Sequence, residues 1–243
     1  MSTVLEQLRE IFRPSEESPH GPLAKLLLLM TIVSGCIDAF SYLVLGHVFV
    51  ANMTGNVLFL GFALAGVHGL SVSASLVALG SFVVGATLGG RLVLLTKSHR
   101  GWLLASSSSI QGVFVAVALA LAVLAATPVG VQTRYAIIVI LAVSMGLQNS
   151  VARKLAVPDV TTTVLTMTIT GIGADSRLAG GAGSLAPRRM VSIVTLLIGA
   201  FVGALLVVHT SIFYPLVVVL ALVVIVALWS AHAGSSNPRW TQR

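Results

Sequence analysis

Asp38 is an acidic residue deep inside a long apolar stretch, and soon after it the chain reads VFVANMTGNVLFLG from Val48 to Gly61. Asn52, Thr54, Gly55 and Asn56 interrupt that second run. A later group has a similar character: Gln148 and Asn149, then Thr166 and Thr168 among further threonines. Such residues can hold a solute by one ionisable group and several fixed dipoles. An isolated carboxylate at mid-bilayer costs about 2.5–3.5 kcal/mol on insertion scales, so Asp38 needs a partner, water or a ligand. It is either a proton- or cation-coupling site or a cap on backbone amides at the start of the next segment. Asn52, Thr54 and Asn56 can satisfy main-chain groups where the chain turns away from water. Asn52 also suits a helix N-cap, which would aim the positive end of a half-helix at the membrane centre.

Composition says what surrounds these residues. The chain has 243 residues, 56% hydrophobic and 9% charged, with a mean hydropathy of +1.01. So few charges cannot cover a soluble domain of this length, and the apolar runs recur from Leu23 to Ala231. The net charge of +7 comes from Lys and Arg scattered among short connections, a topological pattern and not a nucleic-acid surface. Residues 1–24 lack the apolar core of a cleaved leader; Val4, Leu5, Leu8, Ile11 and Phe12 share one helical face, so this segment is an interfacial helix or an irregular tail.

Eight apolar segments are visible, at about residues 23–45, 52–66, 70–95, 102–126, 135–151, 160–173, 190–208 and 212–231. Six are long enough for a ~30 Å hydrocarbon core, which takes about 20 helical residues. The second and sixth are shorter and polar. If all eight crossed, Arg91, Lys97, Arg100, Arg153 and Lys154 would lie outside. If the two short segments are re-entrant, every Lys and Arg except Arg134 is cytoplasmic, as the positive-inside rule favours.

An internal repeat runs through the same segments. Gly35 and Asp38 correspond to Gly146 and Asn149; Thr54 and Gly61 correspond to Thr166 and Gly173. Gly85-x-x-x-Gly89 corresponds to Gly199-x-x-x-Gly203. Each half has three spans, so the second half is inverted relative to the first, the plan of many transporters and channels. The expectation is an all-α integral membrane protein with six transmembrane helices plus two re-entrant half-helix segments, as two inverted repeats (about 25–126 and 135–231). Residues 1–24 and 232–243 flank this domain as cytoplasmic termini.

The stretch from Gly35 to Asn56, GxxDAxxYLxxGxxFVANMTGN, closely resembles the first signature of the YoaK-like family of bacterial membrane proteins. GLQNSVARKLAVPDVTTTVLTMTITG, from Gly146 to Gly171, resembles its second, with Met167 where that family commonly has glycine. The resemblance covers nearly the whole chain after about residue 24. It implies a multi-span inner-membrane protein of a family without an assigned function.

The expected site comprises Asp38, Asn52, Thr54, Asn56, Gln148, Asn149, Thr166 and Thr168, holding a small solute near the bilayer midplane. Half-helix N-termini favour an anionic group and Asp38 a proton or cation; co-transport of a proton with a small anion would reconcile them. The rival readings are a scaffold using its GxxxG faces, including a homodimer through them, and an intramembrane enzyme. No GxxxxGK loop or HExxH motif occurs, the six histidines are widely spaced, and Cys36 is the sole cysteine, so neither a cofactor nor a metal is expected. Gly171-Ile-Gly-Ala-Asp175 only approaches an intramembrane aspartyl-protease loop. Ser106–Ser109 and Gln111 either line a cytoplasmic entrance or join helices by hydrogen bonds.

Overall fold

A computed structural model describes residues 11–13, 20–96, 99–125, 129–157, 165–181, 186–235 and 239–241. Among these residues the regular structure is entirely helical. The helices are α1 (Leu23–Val44), α2 (Met53–Leu64), α3 (Val72–Leu95), α4 (Arg100–Leu124), α5 (Val131–Leu155), α6 (Leu165–Ala174), α7 (Ala186–His209) and α8 (Tyr214–Ser235). Six are long and apolar enough to cross a membrane. At 1.5 Å per residue, α2 (12 residues) and α6 (10 residues) reach only about 18 and 15 Å.

The bundle reverses the usual distribution of polarity. Val113, Leu197, Phe201 and Leu228 face outward, whereas Asn56, Ser108 and Gln111 are wholly buried. Side chains of that kind on the outside match hydrocarbon, and polar groups are kept where protein can bond them. The molecule is a multi-pass membrane protein.

α1 packs on α7, α3 on α5, and α4 on α8; α5 also meets α4, and α1 meets α8. Glycine permits the closest of these crossings. A Cβ on Gly35 would run into the Leu196 carbonyl and the Ala200 amide of α7, while Gly199 faces the Ile32 carbonyl and Gly203 that of Cys36. On the other pair, a Cβ on Gly146 would run into the Phe82 carbonyl and the Ala86 amide. Gly85 faces the Val143 carbonyl, and Gly89 that of Leu147. Both GxxxG patterns are therefore engaged within the chain.

Several boundaries differ from the sequence expectation. α5 begins at Val131 and runs to Leu155, taking in Arg134, Arg153 and Lys154, which lie outside the apolar run of about residues 135–151. The last two sit in its final turn, where the negative end of the helix dipole favours cations. Thr166, Thr168 and Thr170 alternate as in an extended ribbon, but they lie on helix α6. Pro158, Asp159, Thr161, Thr162 and Thr163, with Val4, Leu5 and Leu8, lie outside the described residues.

Arg100 is more than a charge marking topology. Its guanidinium is buried and donates to the carbonyls of Leu155 (2.8 Å) and Trp240 (3.3 Å). It also lies 3.1 Å from His20 Nδ1. One side chain thus ties the end of α5 to the segments just before α1 and after α8.

Candidate functional site

α1 carries Asp38 six residues before its end at Val44, and the chain must then reverse toward α2. The reversal uses two consecutive left-handed residues, Gly46 (φ 90°) and His47 (φ 59°). The Leu45 amide bonds the Ser41 carbonyl and the His47 amide bonds that of Tyr42, closing the last turn of α1. Residues 48–51 then return along α1, where their amides have no helical partner of their own.

Asp38 and Asn56 supply the partners. Asp38 Oδ1 accepts from the amides of Val50 (3.0 Å) and Ala51 (2.8 Å). Asn56 grips the same loop at two points: its Oδ1 accepts from the Phe49 amide (2.9 Å) and its Nδ2 donates to the Phe49 carbonyl (2.6 Å). Asn52 caps α2 as its sequence position suggests, accepting from the Gly55 amide at 3.5 Å. Gly55 lies against the Phe49 ring, where a Cβ would overlap it. The start of this short helix is thereby held at a fixed place against the loop.

In front of this loop lies a cavity of about 660 Å³, a size typical of small-molecule sites. Asp38, Asn52, Thr54 and Thr166 line it, drawn from α1, α2 and α6. Phe82 of α3 and Leu196 of α7 close its sides. Asp38 is partly exposed to this space even while its Oδ1 is held by amides. Cap and cavity wall are thus one residue.

The other expected residues are placed differently. Asn56 is fully buried behind the loop, and Thr168 is buried in α6. Asn149 donates to the Met145 carbonyl one turn back (2.9 Å) and is not among the lining residues. Gln148 is 2% exposed and donates to Ser34 Oγ (3.0 Å) and the Met30 carbonyl (3.2 Å). It accepts from Gln111 Nε2 at 2.7 Å. Gln148 therefore stands one hydrogen bond behind the cavity, because Ser34 is itself a lining residue.

Gln111 belongs to this seam between α4 and α5, so the helix-joining alternative describes it, whereas the hydroxyls of Ser107 and Ser108 are buried without a hydrogen bond among the described residues. Replacing Gln148 by Leu leaves Ser34 and Gln111 short of partners, and a lowered thermal midpoint in detergent is expected, equivalent to about 1–3 kcal/mol. The double replacement Gln111→Leu with Gln148→Leu is expected to regain part of that loss, since both partners then become apolar.

Ser34, Phe82 and Leu196 were not singled out from the sequence as part of a site. For Ser34 a signal existed: it lies one helical turn before Asp38 and so on the same face.

Comparison with known proteins agrees with the membrane character of the chain. A family described as "Protein of unknown function (DUF1275)" matches residues 26–229. UPF0700 transmembrane protein YoaK from Bacillus subtilis (strain 168) is 34% identical over 152 residues, covering 60% of this chain and 64% of that relative's length. No solved structure matches. The family match spans both glycine-paired helix crossings and the Asp38 loop, and the chain belongs to this DUF1275, YoaK-like family of membrane proteins.

Proposed function

We propose that the protein is a small-solute transporter or channel of the bacterial inner membrane, with its site in the cavity before Asp38. The observation that carries this reading is the pairing of lining residues across the two halves. Met53 and Leu165, Thr54 and Thr166, and Phe82 and Leu196 occupy corresponding repeat positions, and all six line one cavity. A space made by both halves at matched positions is where two inverted repeats would meet.

The glycine crossings support the same symmetry. Exchange of α1 with α5 and of α3 with α7 carries the Gly35–Leu196, Gly199–Ile32 and Gly203–Cys36 contacts onto Gly146–Phe82, Gly85–Val143 and Gly89–Leu147. The lengths of α2 and α6 suit re-entrant elements, α2 entering from outside and α6 from the cytoplasm, with both termini cytoplasmic. The functional part of the site is then Asp38, Asn52, Thr54 and Thr166 with Ser34, while Asn56 and Gln148 position it. The reaction is passage of a solute, without bond chemistry.

Two measurements test this. In a Cys36→Ala background, His68→Cys is expected to label from outside and Ser176→Cys from the cytoplasm; labelling from one side would remove the inverted arrangement. Reconstituted vesicles are expected to admit at least one class of small solute faster than protein-free vesicles, with Thr54→Val and Thr166→Val each slowing entry. Equal rates with and without protein across cations, anions and neutral solutes would overturn transport.

A further inference from the structure

We propose that this site takes a small organic cation, a protonated amine or quaternary ammonium with a short apolar tail, the charge at Asp38 and the tail between Tyr42 and Ala204. The inference rests on the cavity being the solute site and adds the chemical class of the solute.

A second cavity of about 350 Å³ adjoins the first. Asp38, Asn52 and Leu196 line both, so the carboxylate stands where the two spaces meet. The larger space has a neutral polar wall of Ser34, Asn52, Thr54 and Thr166. The smaller is apolar apart from the shared pair and the Tyr42 hydroxyl, with Phe49, Ala200 and Ala204 in its wall. One charged group between a polar and an apolar chamber matches an amphiphilic solute carrying a single charge.

The sign of that charge follows from the lining. Among the described residues no lysine, arginine or histidine borders either cavity, and Asp38 is the one carboxylate that does. At the start of α2 the Gly55 amide is met by Asn52, and the loop amides of Val50 and Ala51 just before it are met by Asp38. An anion entering here would meet Asp38 with no cation among the described wall residues to offset it.

The aromatic wall favours the same class. Tyr42 stacks on Phe49 with centroids 5.2 Å apart, and Phe49 stacks on Phe59 at 5.5 Å. A stack fixed in this way offers a ring quadrupole to an ammonium group and apolar area to its carbon chain. The combined volume is far larger than a bare ion needs, which points to an organic solute.

Thermal unfolding of the purified full-length protein in detergent, with n-butylammonium, tetramethylammonium, n-butyrate and n-butanol as probes, tests this. The two ammonium ions are expected to raise the midpoint saturably by about 3 °C or more, and butyrate and butanol are not. Asp38→Asn keeps an oxygen for the Val50 and Ala51 amides and is expected to abolish the rise. Ala204→Phe fills the apolar chamber while leaving Asp38 in place. It is expected to weaken n-butylammonium at least about tenfold relative to tetramethylammonium, and this comparison stands even if Asp38→Asn does not fold. Stabilisation by butyrate equal to that by butylammonium, or the absence of any ammonium effect on folded wild-type protein, would overturn the cation assignment. Vesicle flux separates this assignment from the transport reading. Ammonium binding without flux sustains the cation class and removes transport; butyrate flux that requires Asp38 sustains transport and removes the cation class.

Discussion

Replacing Asp38 by leucine is expected to leave little folded protein. The side chain is the acceptor for two consecutive amides, Val50 and Ala51, in a loop enclosed by the bundle. Leucine cannot accept either bond, and an unmet backbone group in such surroundings costs several kcal/mol. The loss falls on the segment that carries Asn52 into place, so the start of α2 goes with it. Asparagine is expected to behave quite differently. Its side-chain oxygen can take the same two bonds, so most of the fold is retained while the charge is gone. Recovery from detergent extracts and the thermal midpoint of each variant measure the difference. Equal recovery of the leucine and asparagine forms would show that the loop does not depend on this acceptor.

The second large effect concerns the helix crossings. Gly85→Val is expected to prise α3 from α5, because the first added carbon overlaps the Val143 carbonyl, which is backbone and cannot rotate away. Gly199→Val is expected to do the same to α1 and α7 through the Ile32 carbonyl. Overpacking a well-filled interior typically costs about 1–3 kcal/mol, and a clash with main chain should reach or exceed the upper end. Gly61→Ala provides the control, since nothing among the described residues lies within 4 Å of the carbon it adds. Thermal unfolding of the three variants should show two matched losses and one near-neutral change. A loss at only one of the two crossings would argue that the halves are not equivalent in energy.

Much of this arrangement was legible in the sequence because membrane burial writes itself in long apolar runs. The six spans and the two short segments emerged from that signal, and Asn52 was readable as a cap from its position before an apolar run. The end of α5 was not, since Arg153 and Lys154 break hydropathy without breaking the helix. Gly85 and Gly199 announced close approach but not the partner, because small residues record that a backbone comes near and not which one. Gln148 illustrates a different limit. It was grouped with Asn149 by adjacency, yet neighbouring positions on a helix point about 100° apart. One reaches across to Gln111 and Ser34 while the other turns back on its own helix.

The crossed glycine contacts also bear on how the chain is made. α1 docks on α7 and α3 on α5, so the closest packing joins the halves more than it consolidates either one. The ribosome finishes α1 long before α7 exists, and at about 5–20 residues per second the wait is roughly 8–30 s. During that interval the groove at Gly35 faces lipid or another nascent helix, while Asp38 already has its loop amides within local reach. Early assembly is therefore local at the loop and deferred at the seams. A chain severed between the halves would yield two fragments that must find each other in the bilayer before either acquires its closest helix crossings.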